Sequence, residues 1–232
     1  MVVFALLAGV AVLALSKGTI DRDTLIVIAV IVPSIILHEI SHGAVANAFG
    51  DDTAKRAGRL TLNPLAHVDP FGTVIMPTML ALSGLPAFGY AKPVPVNVSR
   101  LRHPRNNGLL VSLAGPATNY TLALIAAGLF RVLTPYSVDA FGDVELPTFG
   151  LVLLYLGVLN VFLGTFNLLP IPPLDGSAML ERMLPQAWWP SYLRFRRYSM
   201  LLLLGLVFWF SGALDVIYDP LFDLWAHLAG LP

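Results

Sequence analysis

The chain has 232 residues, of which 56% are hydrophobic and only 12% are charged, and this balance excludes an ordinary soluble domain. Its 14 basic and 14 acidic residues cancel, so no global field indicates nucleic acid or an acidic polymer as a partner. Because the chain has no cysteine, a disulfide framework, thiolate metal ligands and a cysteine nucleophile are excluded as well.

About six hydrophobic segments follow one another along the chain. The first, residues 1–16, lacks the basic region and cleavage site of a signal peptide and is interpreted as a retained membrane segment. The other five are close to the roughly 20 residues that a helix needs to cross a bilayer. They are residues 24–50, 70–91, 108–130, 146–174 and 198–214. Short loops and the absence of internal repeats predict an all-α polytopic membrane protein, with one integral-membrane domain over residues 1–232 and no appended soluble domain.

The segment 24–50 carries His38, Glu39 and His42 in the pattern HExxH. Positions i and i+4 lie on one face of a helix, so both imidazoles can reach a single cation, and Glu39 stands beside the first of them. An ionisable side chain at the centre of a membrane helix costs roughly 2.5–3.5 kcal/mol and is by default functional. The alternative, that the two histidines only form hydrogen bonds between packed helices, leaves Glu39 unexplained.

The segment 70–91 lies between two basic loops, and the positive-inside rule places both of them in the cytoplasm. A full crossing would put one loop outside, and Pro70, Pro77 and Pro86 weaken a straight helix, so we favour a re-entrant element over a spanning one. The protein then has five or six transmembrane helices.

Residues 58–63 and 90–97, on either side of this segment, alternate in the manner of strands. With Pro93 and Pro95 typical of an edge strand, they predict a small membrane-proximal β-sheet.

A catalytic zinc needs a third protein ligand and an open position for water. Residues 167–176 read NLLPIPPLDG, in which three prolines end or kink the helix and place Asp175 beside a conformationally permissive glycine. The sequence therefore predicts one Zn²⁺ per chain, with His38, His42 and Asp175 as ligands and Glu39 as the catalytic base.

Together the HExxH pattern and the run from Asn167 to Asp175 resemble the site-2 protease family of intramembrane zinc metalloproteases, peptidase family M50. Residues 115–119, GPATN, are similar to the GPxxN motif of that family, so the resemblance covers about 140 central residues, within a catalytic core at about 24–180. The resemblance implies an endopeptidase that cleaves in or near transmembrane segments of membrane-protein substrates, in regulated intramembrane proteolysis. It also implies that Asn119 and Asn167 orient the substrate or the oxyanion, with hydrogen bonding between helices as the alternative for both.

Topology adds an independent expectation, since the helices that carry His42 and lead to Asp175 would both end at the cytoplasmic side. His42 would then lie roughly 12 Å below the surface. We expect a multi-pass protein of a prokaryotic plasma membrane with its active site toward the cytoplasm. Its partners would be the lipid bilayer, transmembrane protein substrates and a regulatory membrane protein, and no nucleic acid. A substrate would bind in extended form, and the edge near Val94 and Val96 could accept it.

Two other functions use similar ligands. A zinc-binding membrane transporter or sensor would need no base at Glu39, and a metalloprotease of the CAAX-processing type would use a glutamate in place of Asp175. Separately, His67 and Asp69 could gate the site or bind a second metal, against their interpretation as turn and helix-cap residues.

Overall fold

The computed structural model describes residues 21–83, 91–134, 137–138, 144–209 and 211–231, and most of these residues are helical. Eight α-helices occur in this part of the chain. They are α1 (Arg22–Ala48), α2 (Thr53–Arg56), α3 (Met76–Leu82), α4 (Pro104–Leu133), α5 (Thr148–Asn167), α6 (Ser177–Met183), α7 (Trp189–Trp209) and α8 (Ser211–Ala229). Short 3₁₀ helices cover Pro64–His67, Val98–Arg100 and Gln186–Trp188, and a π-helical turn covers Pro70–Ile75.

Helices α1, α4 and α5 form the centre of the fold, and each packs against the other two. Among the described residues, these three helices are long and apolar enough to cross a membrane. Small side chains, among them Ala123 and Ala126, let α8 approach α4 and α5 closely. Phe130 is buried in the same cluster. Trp225 of α8 completes this core, and its indole Nε1–H donates a hydrogen bond to the Ala123 carbonyl at 2.8 Å.

The prediction of about six hydrophobic segments, giving five or six transmembrane helices, is wrong for the described part of the chain, where three helices meet the length and hydropathy requirements. Residues 1–16 lie outside the described residues. The segment 198–214 is divided between α7 and α8. The arginines of α7 and the aspartates of α8 make both helices too polar, because a spanning stretch tolerates very few charges. They are Arg194, Arg196 and Arg197 in α7 and Asp215, Asp219 and Asp223 in α8.

No helix of spanning length occurs between residues 70 and 83. The chain forms the π-helical turn Pro70–Ile75 and then the short helix α3, while residues 84–90 lie outside the described residues. The Asp69 carboxylate caps this unit by accepting hydrogen bonds from the backbone N–H groups of Phe71 and Gly72, at 3.0 and 2.7 Å. Proline at the first helical position starts such a unit without losing a hydrogen bond.

The predicted membrane-proximal sheet is also wrong. Residues 58–63 form turns and bends, and residues 91–97 have no strand partner among the described residues. The alternation in 91–97 comes from Pro93 and Pro95, and the amides of Val94 and Asn97 donate to the Glu39 and Asp51 side chains rather than to a neighbouring strand. The strands in the described part of the chain are an antiparallel pairing of two residues each, β1 (Ser137–Val138) with β2 (Val144–Glu145).

Candidate metal centre

The two histidines of the HExxH pattern lie one turn apart on the same face of α1. Their rings meet edge to face with centroids 4.7 Å apart, and both side chains are buried. Helical spacing alone gives this pairing, because residues i and i+4 are neighbours on a helix surface.

Asp175 reaches the same place from the loop between α5 and α6. The α5 helix ends at Asn167, and the loop closes where the Gly176 N–H donates a hydrogen bond to the Asn167 carbonyl at 2.6 Å. The Asp175 Oδ2 atom lies 3.1 Å from Nε2 of His38 and 3.3 Å from Nε2 of His42. Within the described chain, these residues form the group whose ligand atoms could hold one metal ion.

The three ligand atoms form a nearly equilateral triangle, because the two Nε2 atoms are themselves 3.1 Å apart. Sides of this length match one face of a tetrahedron whose centre is about 1.9–2.0 Å from each corner, which is close to the Zn–N and Zn–O bond lengths. Two imidazoles and one carboxylate are also a ligand set that catalytic zinc uses, with the fourth position left open. The residues present therefore fit a zinc ion.

Hydrogen bonds at the far side of each ring determine which nitrogen faces the triangle. The Nδ1–H of His42 donates to the Val111 carbonyl at 2.7 Å, and the Nδ1–H of His38 donates to Oδ1 of Asn119 at 2.6 Å. In the neutral imidazoles both Nε2 atoms then carry lone pairs, directed at a buried Asp175 oxygen that has no hydrogen-bond donor among the described residues. Three converging acceptors repel one another unless a cation lies between them.

Helix α4 packs directly over the imidazoles at Gly115. A methyl group on Gly115 would lie 2.5 Å from the Nε2 atoms of both His38 and His42. Ordinary van der Waals contacts of such a carbon fall between 3.4 and 4 Å, so this position accommodates only glycine. The close approach of α4 to the two imidazoles explains why the first residue of the GPATN run, residues 115–119, is a glycine.

A buried chain of polar side chains leads from His38 into the helix core. Asn119 donates from Nδ2 to Oδ1 of Asn160 at 2.8 Å, and Asn160 donates in turn to Oγ of Ser34, also at 2.8 Å. Both asparagines are fully buried, and Asn160 was missed by the sequence analysis. An asparagine within the apolar run of α5 was the signal that could have identified it, since a buried amide in a membrane helix needs partners.

The remaining candidates take other positions. Asn119 contacts His38 and Asn160 through its amide, as described above, whereas Asn167 donates from Nδ2 to the Leu163 carbonyl of its own helix at 2.9 Å. His67 is buried outside the triangle, with its Nε2–H donating to the Thr61 carbonyl at 2.9 Å. Asp69 serves as the helix cap described above.

Glu39 lies beside His38 on α1 and contacts the segment 91–97. Its Oε2 atom accepts a hydrogen bond from the backbone N–H of Val94 at 2.8 Å. This N–H is therefore already hydrogen-bonded to Glu39 within the edge near Val94 and Val96, where a substrate was expected to bind in extended form.

Comparison with known proteins adds independent findings. A family model described as "Peptidase family M50" matches residues 143–210, which include Asp175. "Putative zinc metalloprotease YwhC" of Bacillus subtilis is 43% identical over 162 residues, which are 69% of this chain and 69% of that protein. "Putative zinc metalloprotease Rip2" of Mycolicibacterium smegmatis is 37% identical over 158 residues, which are 68% of this chain and 56% of that protein. "Putative zinc metalloprotease Rip2" of Mycobacterium tuberculosis is 31% identical over 194 residues, 80% of this chain and 70% of that protein. No solved structure matches the chain.

Proposed function

Since the chain belongs to the site-2 protease family, peptidase family M50, we propose that it is a zinc metalloprotease that hydrolyses peptide bonds in or near transmembrane segments of membrane-protein substrates. One observation supports this proposal more strongly than any other. Two imidazole nitrogens and one carboxylate oxygen from distant parts of the chain converge in a triangle with sides of 3.1–3.3 Å. A carboxylate follows the first histidine on the same helix.

In this proposal His38, His42 and Asp175 hold one zinc ion. The hydrogen bonds from Nδ1 of each ring support it, because they leave Nε2 as the ligand atom and keep each imidazole in one orientation. A zinc ion held there supplies Lewis acidity, which makes water a better nucleophile at neutral pH and polarises a carbonyl group.

Glu39 is the general base and acid of the proposed reaction. Its carboxylate takes the proton of the attacking water and gives it to the amine that leaves when the peptide bond breaks. The hydrogen bond from Val94 involves Oε2, and Oε1 accepts no hydrogen bond from the described residues. In this proposal Oε1 is the oxygen that takes the proton.

Apolar helices support a membrane setting for the proposed active site, and the position of the histidines along α1 indicates which side of the membrane it faces. Three apolar helices of spanning length support a multi-pass arrangement, and exposed apolar side chains on α1 and α4 suit contact with lipid. His42 lies about 9 Å before the end of α1 at Ala48. The basic residues that follow α1 are Lys55, Arg56 and Arg59. The positive-inside rule therefore favours an active site near the cytoplasmic face of a prokaryotic plasma membrane.

This location suits cleavage of single-span proteins near their cytoplasmic end, as in regulated intramembrane proteolysis. The proposed partners are therefore transmembrane substrates in the bilayer, with a regulatory membrane protein that controls access. The arrangement of residues 1–232 as one integral-membrane domain stays a prediction.

The experiment compares purified wild-type protein with Glu39→Gln and Asp175→Ala, using zinc analysis and a panel of cleavable transmembrane reporters. Wild type should hold about one zinc per chain and cleave at least one reporter. Asp175→Ala should lose zinc, whereas Glu39→Gln should keep zinc and lose cleavage by about 10²–10⁴-fold. Wild-type protein that holds zinc but cleaves no reporter would refute the protease assignment, and Glu39→Gln protein that cleaves normally would refute the role of Glu39 as the general base. Loss of zinc from Glu39→Gln would favour a transporter or sensor.

A further inference from the structure

The segment 91–97 crosses α1 at the glutamate and touches it at two points. The Val94 N–H donates to Oε2 of Glu39 at 2.8 Å. The Val94 side chain packs on Gly43, where an added methyl group would come within 2.9 Å of Val94 Cγ1. Glu39 and Gly43 are four residues apart and therefore share one face of α1. The backbone and the side chain of one valine thus dock side by side on this face.

Other contacts hold the segment in place on both sides of Val94. The Lys92 N–H donates to the His67 carbonyl at 2.9 Å, and Nη2 of buried Arg59 donates to the Lys92 carbonyl at 2.6 Å. Further along, the Asn97 N–H donates to Oδ2 of fully buried Asp51 at 2.6 Å. The donor that faces Glu39 is therefore positioned before any substrate binds.

The local sequence, Pro93-Val94-Pro95, favours this single donor. Both prolines lack an N–H group, so Val94 supplies the one backbone donor of the three residues. A residue before proline is restricted to extended conformations, which keeps the segment from turning away from α1. The sequence thus presents one amide in a stiff backbone to one carboxylate oxygen.

We propose that the Val94 amide is a positioning donor for the general base, and this inference rests on the role of Glu39 in the proposed function. By holding Oε2, it keeps the carboxylate in one orientation and leaves Oε1 to accept the proton of water. A hydrogen bond to a charged carboxylate is among the stronger ones in proteins, so it restrains the side chain effectively. Misplacement of a catalytic group by about 1 Å costs on the order of a hundredfold in rate.

The test removes the N–H group with Val94→Pro. Proline is compatible with the extended backbone required before Pro95, and the substitution deletes the donor to Glu39. Val94→Ala keeps the N–H and measures the loss of packing on Gly43. Val96→Pro measures the cost of a proline elsewhere in the segment, since the Val96 N–H has no acceptor in the described part of the chain.

The measurements are kcat, KM and zinc content on a reporter that wild type cleaves. Val94→Pro should lower kcat about tenfold to a hundredfold, with KM and zinc content unchanged, and by at least tenfold more than Val94→Ala or Val96→Pro. Combined with Glu39→Gln, it should add no further loss, because both changes disable the same group.

Several results would overturn the proposal. They are a kcat for Val94→Pro equal to those of the two comparison variants, an additive loss in the double variant, or a rise in kcat, which would mean that the segment obstructs the base. If Val94→Pro fails to fold, replacing Val94 by its α-hydroxy acid removes the N–H without a proline, and the same loss of kcat is expected. Normal cleavage by Glu39→Gln alone would refute the general-base role on which this inference rests, whereas wild-type protein that cleaves no reporter would refute the proposed function itself.

Discussion

Gly115→Ala tests the metal centre from the helix that packs over it. The added methyl group would lie 2.5 Å from Nε2 of both His38 and His42. Alanine is favoured over glycine within a helix by about 1 kcal/mol, so α4 itself should tolerate the change. The perturbation is thus directed at the two imidazoles rather than at the helix that carries it.

The size of the effect follows from these distances. To reach the 3.4 Å of an ordinary contact, the rings and the methyl group must separate by about 1 Å. A zinc–nitrogen bond of about 2.0–2.1 Å cannot absorb that shift, so we expect zinc affinity and cleavage each to fall by a hundredfold or more. Overpacking costs about 1–3 kcal/mol, of which the helix preference of alanine offsets about 1, so the protein should still fold.

The assay is zinc competition against a chelator of known affinity, together with thermal unfolding and reporter cleavage. Gly128→Ala is the matched control, because it lies on the same helix with no neighbouring atom within 4 Å of the added carbon. The control should keep normal zinc affinity and gain slightly in stability. Gly115→Ala protein with the zinc affinity of wild type would refute the close packing of α4 on the histidines.

Three further predictions concern the surroundings of the site. Asn160→Ala removes the partner of Asn119, and we expect the zinc affinity to fall about tenfold or more in the same competition assay, whereas an unchanged affinity would show that this network does not position His38. Gly157→Ala places a methyl group inside the contact with the Trp225 indole, so thermal unfolding should occur at a lower temperature and the tryptophan fluorescence should change; a wild-type melting curve would contradict the docking of α8. Removal of zinc by a chelator should lower the melting temperature reversibly, because the metal binds the folded chain, and a temperature independent of zinc would argue against a structural link between metal and fold.

The helices of the centre could be predicted from the apolar runs. Residues 24–50, 108–130 and 146–174 predict three long helices, and the structure has α1, α4 and α5 at these places. The ends differ by several residues because capping and packing, not hydropathy, determine where a helix begins and ends. The helical repeat also puts His38 and His42 on one face, since that relation depends only on their spacing.

Alternation failed as a signal for strands. In residues 91–97 the pattern arises from prolines, and the amides of Lys92, Val94 and Asn97 pair with His67, Glu39 and Asp51 rather than with a neighbouring strand. Strand pairing depends on which segments meet in space, and a single segment contains no information about its partner.

The sequence by itself determined the helical centre, the paired histidines with their adjacent glutamate, and the zinc-compatible choice of ligands, because these depend on composition and local spacing. Only the tertiary structure decided that Asp175 lies about 3 Å from both imidazoles, that Asn160 continues the hydrogen bonds of His38, and that the Val94 amide contacts Glu39. Pro93 and Pro95 leave Val94 as the donor between them, but which acceptor this N–H meets depends on how distant segments pack against one another.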